Sequence, residues 1–292
     1  MNEVEVVQRQ VGAFSTRCLL AGPSSADVVL LLHDGAWGGA SSVSWTNVIP
    51  LLASRFRVVA PDMLGFGGTD KAVFLDRSPY EFRIRHLCEL LESLGIFDPV
   101  HVVGSSFGGS IALRMVEACP ERLASAVSIS GTGGPWRTEF GRTALGTWDG
   151  SRKDLERIVD LIVVRNERFD FNAHIEERLK WAVTPGHYRA MIAPTGVQPV
   201  ALRQTGPVHD GWPESLASTS IPVLLIAGSQ DPLVDPGWTG NLSAHIPSSE
   251  VVLLDAKHSP NIDDPEGTAD LLTNWIDRNS TYAQSAHVTI KK

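Results

Sequence analysis

The sequence is short of cations, cysteine and long apolar runs, and each shortage closes off a class of function. Lysine and arginine number 25 against 33 aspartates and glutamates, a formal net charge of −8. Nucleic-acid and anionic-membrane binders need clustered Lys and Arg to displace counterions, so neither partner is expected. No predominantly apolar stretch approaches the ~20 residues of a bilayer-spanning helix. Met1, Asn2, Glu3, Val4 and Glu5 open the chain with acids where a secretory signal carries positive charge, which points to a cytoplasmic protein. Cys18, Cys88 and Cys119 are odd in number and lack metal-ligand spacing. A disulfide framework, a metal centre and a bound cofactor are therefore not expected, and each cysteine reads as a small buried hydrophobe.

What the chain does have is core-forming material, with 43% apolar residues. Short, uniformly apolar segments recur at 28–32, 57–60, 100–103, 124–129, 223–227 and 251–254. Such runs read as parallel strands buried on both faces. Helical spacing fills the gaps, as at 80–94 and 110–118. The alternation predicts a mostly parallel, doubly wound α/β sheet. It breaks between 132 and 218, where helical patterns at 153–164 and 173–181 gather with Trp136, Trp148, Trp181 and Trp212. The expected organisation is a core domain of residues 1–131 and 219–279, an inserted helical cap at 132–218 and a loosely held tail at 280–292.

The chemistry concentrates at expected strand ends. Gly104, Ser105, Ser106, Phe107 and Gly108 follow one buried strand and open a helix, the context of a nucleophile elbow. Small residues at 104 and 108 let the chain pass close by while the turn holds Ser106 in strained geometry. A serine hydroxyl needs a base that is itself oriented by an acid. Asp231 follows the strand at 223–227 and is the expected acid, with Asp235 a weaker rival further from the strand end. His258 follows the last strand and is the expected base. The Gly-rich turn after the first apolar strand should present the Gly35 amide to an oxyanion, opposite the amide of Phe107. Asp34 stands in that turn, and its side chain is expected to point away as a turn former.

These elements resemble the α/β-hydrolase fold superfamily from about Val28 to Trp275. A narrower resemblance is to the meta-cleavage product hydrolases, which cut a C–C bond in dienol keto acids. It rests on Trp45, Thr46 and Asn47 after the oxyanion turn, on the run from Arg57 to Asp70, and on Arg178 in the later half of the cap. That resemblance implies that Asn47 and Arg178 hold the polar end of the substrate; Ser105 and Trp37 are further candidate substrate-binding residues. The chain departs from the pattern at Ser105, where the family usually has Asn, at Ser259, where it usually has Trp, and at Asp34 in a longer turn.

The leading expectation is a cofactor-independent serine hydrolase acting on an ester or lactone of a small organic molecule. C–C hydrolysis of a dienol keto acid is the alternative, and a hydrolase-like receptor with little turnover is a third reading. The expected partner is a small-molecule substrate, with a homodimer as a further option.

Overall fold

The computed structural model describes residues 3–75, 78–196 and 211–280. Eight strands form one sheet: β1 (Glu5–Val11), β2 (Phe14–Ala21), β3 (Val28–Leu32), β4 (Arg57–Pro61), β5 (Val100–Ser105), β6 (Leu123–Ile129), β7 (Val223–Gly228) and β8 (Ser249–Leu254). Their order across the sheet is β1-β2-β4-β3-β5-β6-β7-β8. The β1–β2 and β2–β4 pairings are antiparallel, and every other pairing is parallel.

The central apolar strands serve a two-sided core, whereas β8, expected to be buried on both faces, is the edge strand of the sheet and leaves Val251 and Leu253 exposed. Along β3, Leu30 and Leu32 pack toward Ile84, Leu87, Ile111 and Met115 of the helices Glu81–Ser93 and Phe107–Ala118. Val29 and Leu31, pointing the other way, join Leu272, Trp275 and Ile276 of the helix Pro265–Asn279. A strand that must be apolar on both faces cannot show a polar alternation. β1 and β2 lie outside the expected set because polar residues interrupt their apolar ones: β1 is mostly solvent-exposed and carries Glu5, Gln8, Arg9 and Gln10, and β2 carries Ser15, Thr16 and Arg17. Gly12, at φ 56°, makes the tight turn between them.

Because β3 pairs with β4 on one side and β5 on the other, the chain reverses its winding direction at β3. The crevice at the carboxyl ends of β3 and β5 is a topological switch point, where open α/β sheets bind ligands.

Between β6 and β7 the described residues form the helices Glu139–Gly146, Arg152–Ile162, Phe171–Ala182 and His187–Gly196. Thr138, Ser151 and Asp170 cap the first three by accepting hydrogen bonds from Gly141 N, Asp154 N and Ala173 N. Leu155, Ile158, Val159, Ile162 and Ile175 pack with Trp148 against Trp37 of the sheet domain. Each such side chain contributes roughly 1.5–3 kcal/mol by leaving water, so these helices are fastened to the loop after β3. Cys88 and Cys119 bring their sulfurs to 3.8 Å as free thiols, and Cys88 is half-buried rather than a core residue. Of the expected tail, only Ser280 falls within the described residues. No described helix is long and apolar enough to cross a membrane.

Candidate active site

The site begins with a backbone contradiction that only glycine resolves. Ser106 sits at φ 55°, ψ −112°, between β5 and the helix it starts. That strained conformation persists because both sides are fixed: Ser106 N donates to Ile129 O at 2.7 Å, and Ser110 N to Ser106 O at 2.9 Å. A Cβ at Gly104 would lie 2.1 Å from the Gly108 backbone, and one at Gly108 would lie 2.3 Å from Leu32 O. The two glycines permit the close crossing of β5, β3 and the helix that lifts Ser106 out of the sheet.

His258 Nε2 lies 2.7 Å from Ser106 Oγ, and His258 Nδ1 lies 2.6 Å from Asp231 Oδ2. Asp231 Oδ1 accepts from Leu233 N at 2.9 Å, which fixes the carboxylate plane. The loops bearing Asp231 and His258 meet closely, since a Cβ at Gly228 would lie 2.0 Å from Lys257 O. Asp235 is exposed and instead accepts from Gly237 N. With Asp231 on one nitrogen and Ser106 on the other, the imidazole is placed to take the serine proton.

A cavity of about 470 Å³ opens over Ser106 and His258, with Gly35, Trp37, Phe66, Tyr80 and Phe107 among its walls. Gly35 packs so tightly on Phe107 that a Cβ would lie 2.7 Å from the phenylalanine Cβ. The two expected oxyanion residues therefore stand together beside the nucleophile.

Three of the expected substrate-binding residues, Asn47, Arg178 and Ser105, are placed elsewhere. Asn47 is exposed and lines a second cavity, together with Asp170, His174 and Glu177, to which Ser106 does not contribute. Arg178 is fully buried and bound to Asp34 through two hydrogen bonds, Nη2 to Oδ2 at 2.8 Å and Nη1 to Oδ1 at 3.1 Å. Its remaining donors reach Trp37 O and His174 Nε2. Ser105 turns into the core and donates to Asn261 Oδ1 at 3.0 Å. None of the three lines the cavity over Ser106, whereas Trp37 does.

The turn residue Asp34 explains this rerouting. Oδ1 accepts from Ala36 N two residues on, the expected Asx turn, and Oδ2 accepts from Ser44 Oγ. Burial alone would raise its carboxyl pKa, but the Arg178 guanidinium and Ser44 override burial and hold it well below the ordinary range. His33, beside it, is held neutral by burial: Met63 N donates to Nε2, leaving Nδ1–H to donate to Asp34 O.

Sequence reasoning missed Ser130 and Arg83, both of which line the Ser106 cavity. Ser130 adopts φ 53° at the end of β6, and its buried hydroxyl has no hydrogen-bond partner among the described residues. Among the described residues, no group of three or more His, Cys, Asp or Glu is placed to hold a metal ion.

The chain is 28% identical over 289 residues to the 2-hydroxy-6-oxo-6-(2'-aminophenyl)hexa-2,4-dienoic acid hydrolase of Metapseudomonas resinovorans, covering 98% of this chain and 96% of that relative. It is 26% identical over 235 residues, 78% of each chain, to the 2-hydroxymuconate semialdehyde hydrolase of Pseudomonas sp. strain CF600. The solved 2-hydroxy-6-oxo-6-phenylhexa-2,4-dienoate hydrolase of Rhodococcus sp. strain RHA1 superposes with a TM-score of 0.80 at 25% identity, covering 94% of this chain and 99% of that one. The alpha/beta hydrolase fold family matches residues 27–265. That match runs from the start of β3 to the helix after His258, and the chain belongs to the alpha/beta hydrolase fold family.

Proposed function

We propose that this chain is a serine hydrolase of the C–C type, with Ser106, His258 and Asp231 as its triad and a dienol keto acid of the 2-hydroxy-6-oxo class as its substrate. The observation that carries this reading is near-complete alignment with a hydrolase of such a compound, combined with a serine, histidine and aspartate in hydrogen-bond register. Ser106 Oγ attacks the 6-keto carbon while His258 takes its proton, and the oxyanion faces the amides of Gly35 and Phe107. With the substrate in its 2,6-diketo tautomer, the C5–C6 bond breaks and its electron pair enters a dienolate stabilised by the 2-keto group. The imidazolium of His258 returns a proton to that leaving group. Water, deprotonated by His258, then releases the acyl group from Ser106 as a carboxylic acid.

Ester or lactone hydrolysis by the same triad is the second reading, and a specific observation favours it. Arg178 is closed by Asp34 and Asn47 is exposed, so the groups that the resemblance gives to an acidic dienol are absent from the cavity.

The purified protein is tested with 2-hydroxy-6-oxo-6-phenylhexa-2,4-dienoate, aryl esters and lactones, with products and serine adducts followed by mass spectrometry. Steady release of benzoate from the dienoate, abolished in Ser106→Ala, is the expected result. Turnover of esters or lactones alone would replace the C–C reading. A single burst without steady turnover on any substrate would favour a receptor.

A further inference from the structure

The guanidinium groups that reach the Ser106 cavity belong to Arg83, Arg137 and Arg142. Arg137 and Arg142 are at exposed positions of its rim. Arg83 differs from both, because it is only 6% exposed and comes from the sheet-domain helix Glu81–Ser93. Its Nε donates to Leu64 O at 3.0 Å and its Nη1 to Pro79 O at 2.8 Å. Nη2 donates to no group among the described residues, and no carboxylate there pairs with the cation. The guanidinium lies among aromatic rings, 4.4 Å from the centroid of Phe82, 5.2 Å from Phe107 and 5.6 Å from Phe66.

Burial draws its pKa down to about 10, against a raising influence from Tyr80, so it remains a cation near neutral pH. Ring faces and two carbonyls offset part of the cost of that charge, but a buried cation with no counter-charge among the described residues still carries a desolvation penalty. The penalty is relieved when an anion enters the cavity. Phe107, which the cation flanks, is the residue next to the nucleophile.

We propose that Arg83 is the anion-recognition residue of this pocket and that the substrate carries a carboxylate, remote from the bond being cleaved, which Nη2 binds along the wall of Phe107, Phe66 and Tyr80. This rests on Ser106 being the nucleophile and is independent of which bond it opens. It places the acidic end of a substrate at the sheet-domain wall, away from the saturated Arg178.

The test compares 4-nitrophenyl hemiglutarate with methyl 4-nitrophenyl glutarate, two esters that share a scissile bond and differ in the remote charge. The wild type should prefer the acid in kcat/KM by at least about ten-fold, the scale of one charge-assisted hydrogen bond. Arg83→Met should collapse that ratio through KM, and Arg83→Lys should restore part of it. Equal kcat/KM for the two esters in the wild type, or a ratio unchanged in both variants, would overturn the proposal. Arg83 also holds two loop carbonyls, so melting curves accompany the kinetics, and binding is measured separately by calorimetry. In Ser106→Ala, monomethyl glutarate should bind at least about ten-fold tighter than dimethyl glutarate, and adding Arg83→Lys should narrow that gap. If the wild type hydrolyses neither ester nor the dienoate, the proposed function falls, while the calorimetry still decides on Arg83. Equal affinity for acid and diester would then reject it.

Discussion

On the cap side of the loop after β3, Asp34 and Arg178 satisfy one another. Both carboxylate oxygens carry two donors each, from Ala36 N, Ser44 Oγ and the two guanidinium nitrogens. On the sheet side, Ser106, Ser130 and Arg83 face a cavity with hydrogen-bonding capacity left over. Both regions are buried and polar, and both contain an arginine. The first is closed, so a ligand would have to displace an existing pair; the second is incomplete, and a ligand would complete it. Buried polar groups are normally satisfied, so a cluster of exceptions beside a poised serine marks where a molecule binds. A resemblance read residue by residue points to Arg178. The single aspartate at position 34 moves the answer to the other side of the loop.

The largest expected effect falls on the open side. Ser106→Ala should lower kcat by more than about 10³-fold, with Asp231→Asn losing less, because triad members act as a unit. The melting temperature should hardly move, since Ser106 is held by its backbone rather than by packing. Retention of more than a hundredth of the rate would identify another nucleophile. The closed side should answer in the opposite currency. Asp34→Asn strands a buried guanidinium and should cost about 3–5 kcal/mol in denaturant unfolding, whereas Asp34→Gly combined with Arg178→Met should recover much of that loss. Arg178→Ala should depress ester and dienoate hydrolysis alike, in step with stability. A KM effect confined to the acidic substrate would return the carboxylate to Arg178 and break the comparison.

A smaller effect is the pH dependence of cap attachment. His187 accepts from Gly38 N through Nε2, and burial lowers its pKa from 6.5 to about 4. His86 and His101 are likewise lowered by burial to about 4. Between those values the unfolded chain binds protons that the folded chain refuses, so stability should fall as pH drops from 6.5 toward 4. Asp263, which burial pushes up from 3.8 to about 6, acts the other way, because its folded carboxyl keeps a proton that the unfolded one releases. The histidines outnumber it, and denaturant midpoints at pH 7 and pH 5 should show a net loss. His187→Asn should flatten the slope; an unchanged slope would remove His187 from the account.

What was legible in the sequence followed from local constraints. β3 to β7 are predominantly apolar because both faces are covered, and Ser106, Asp231 and His258 sit at strand ends fixed by those runs. β1 was hidden by its exposure, and the helix after Ser106 starts at Phe107 rather than 110 because glycines mask its first turn. Asp34 was legible as a turn former, but its partner lies 144 residues away and no local pattern encodes that pairing. Arg83 left a fainter trace: it stands four residues before Leu87 and seven before Leu90, so a charge occupies the buried stripe of its helix. Only the packed structure shows that no carboxylate among the described residues meets it.

The smallest expected effect is also the sharpest test of the comparison. Asn47 is exposed and lines the second cavity rather than the one over Ser106. Surface substitutions of this kind usually change stability by less than about 0.5 kcal/mol. Asn47→Ala should therefore leave kcat/KM within about two-fold for both the dienoate and a neutral aryl ester, since 0.5 kcal/mol corresponds to a factor of about two. The resemblance demands something else, because an amide holding the polar end of an acid would be missed by the acid alone. Steady-state kinetics on the two substrates separate these cases without ambiguity from unfolding, as the exposed site leaves no cavity behind. A loss confined to the dienoate would mean that the cap closes over Asn47 when substrate binds, and the second cavity would then belong to the catalytic one.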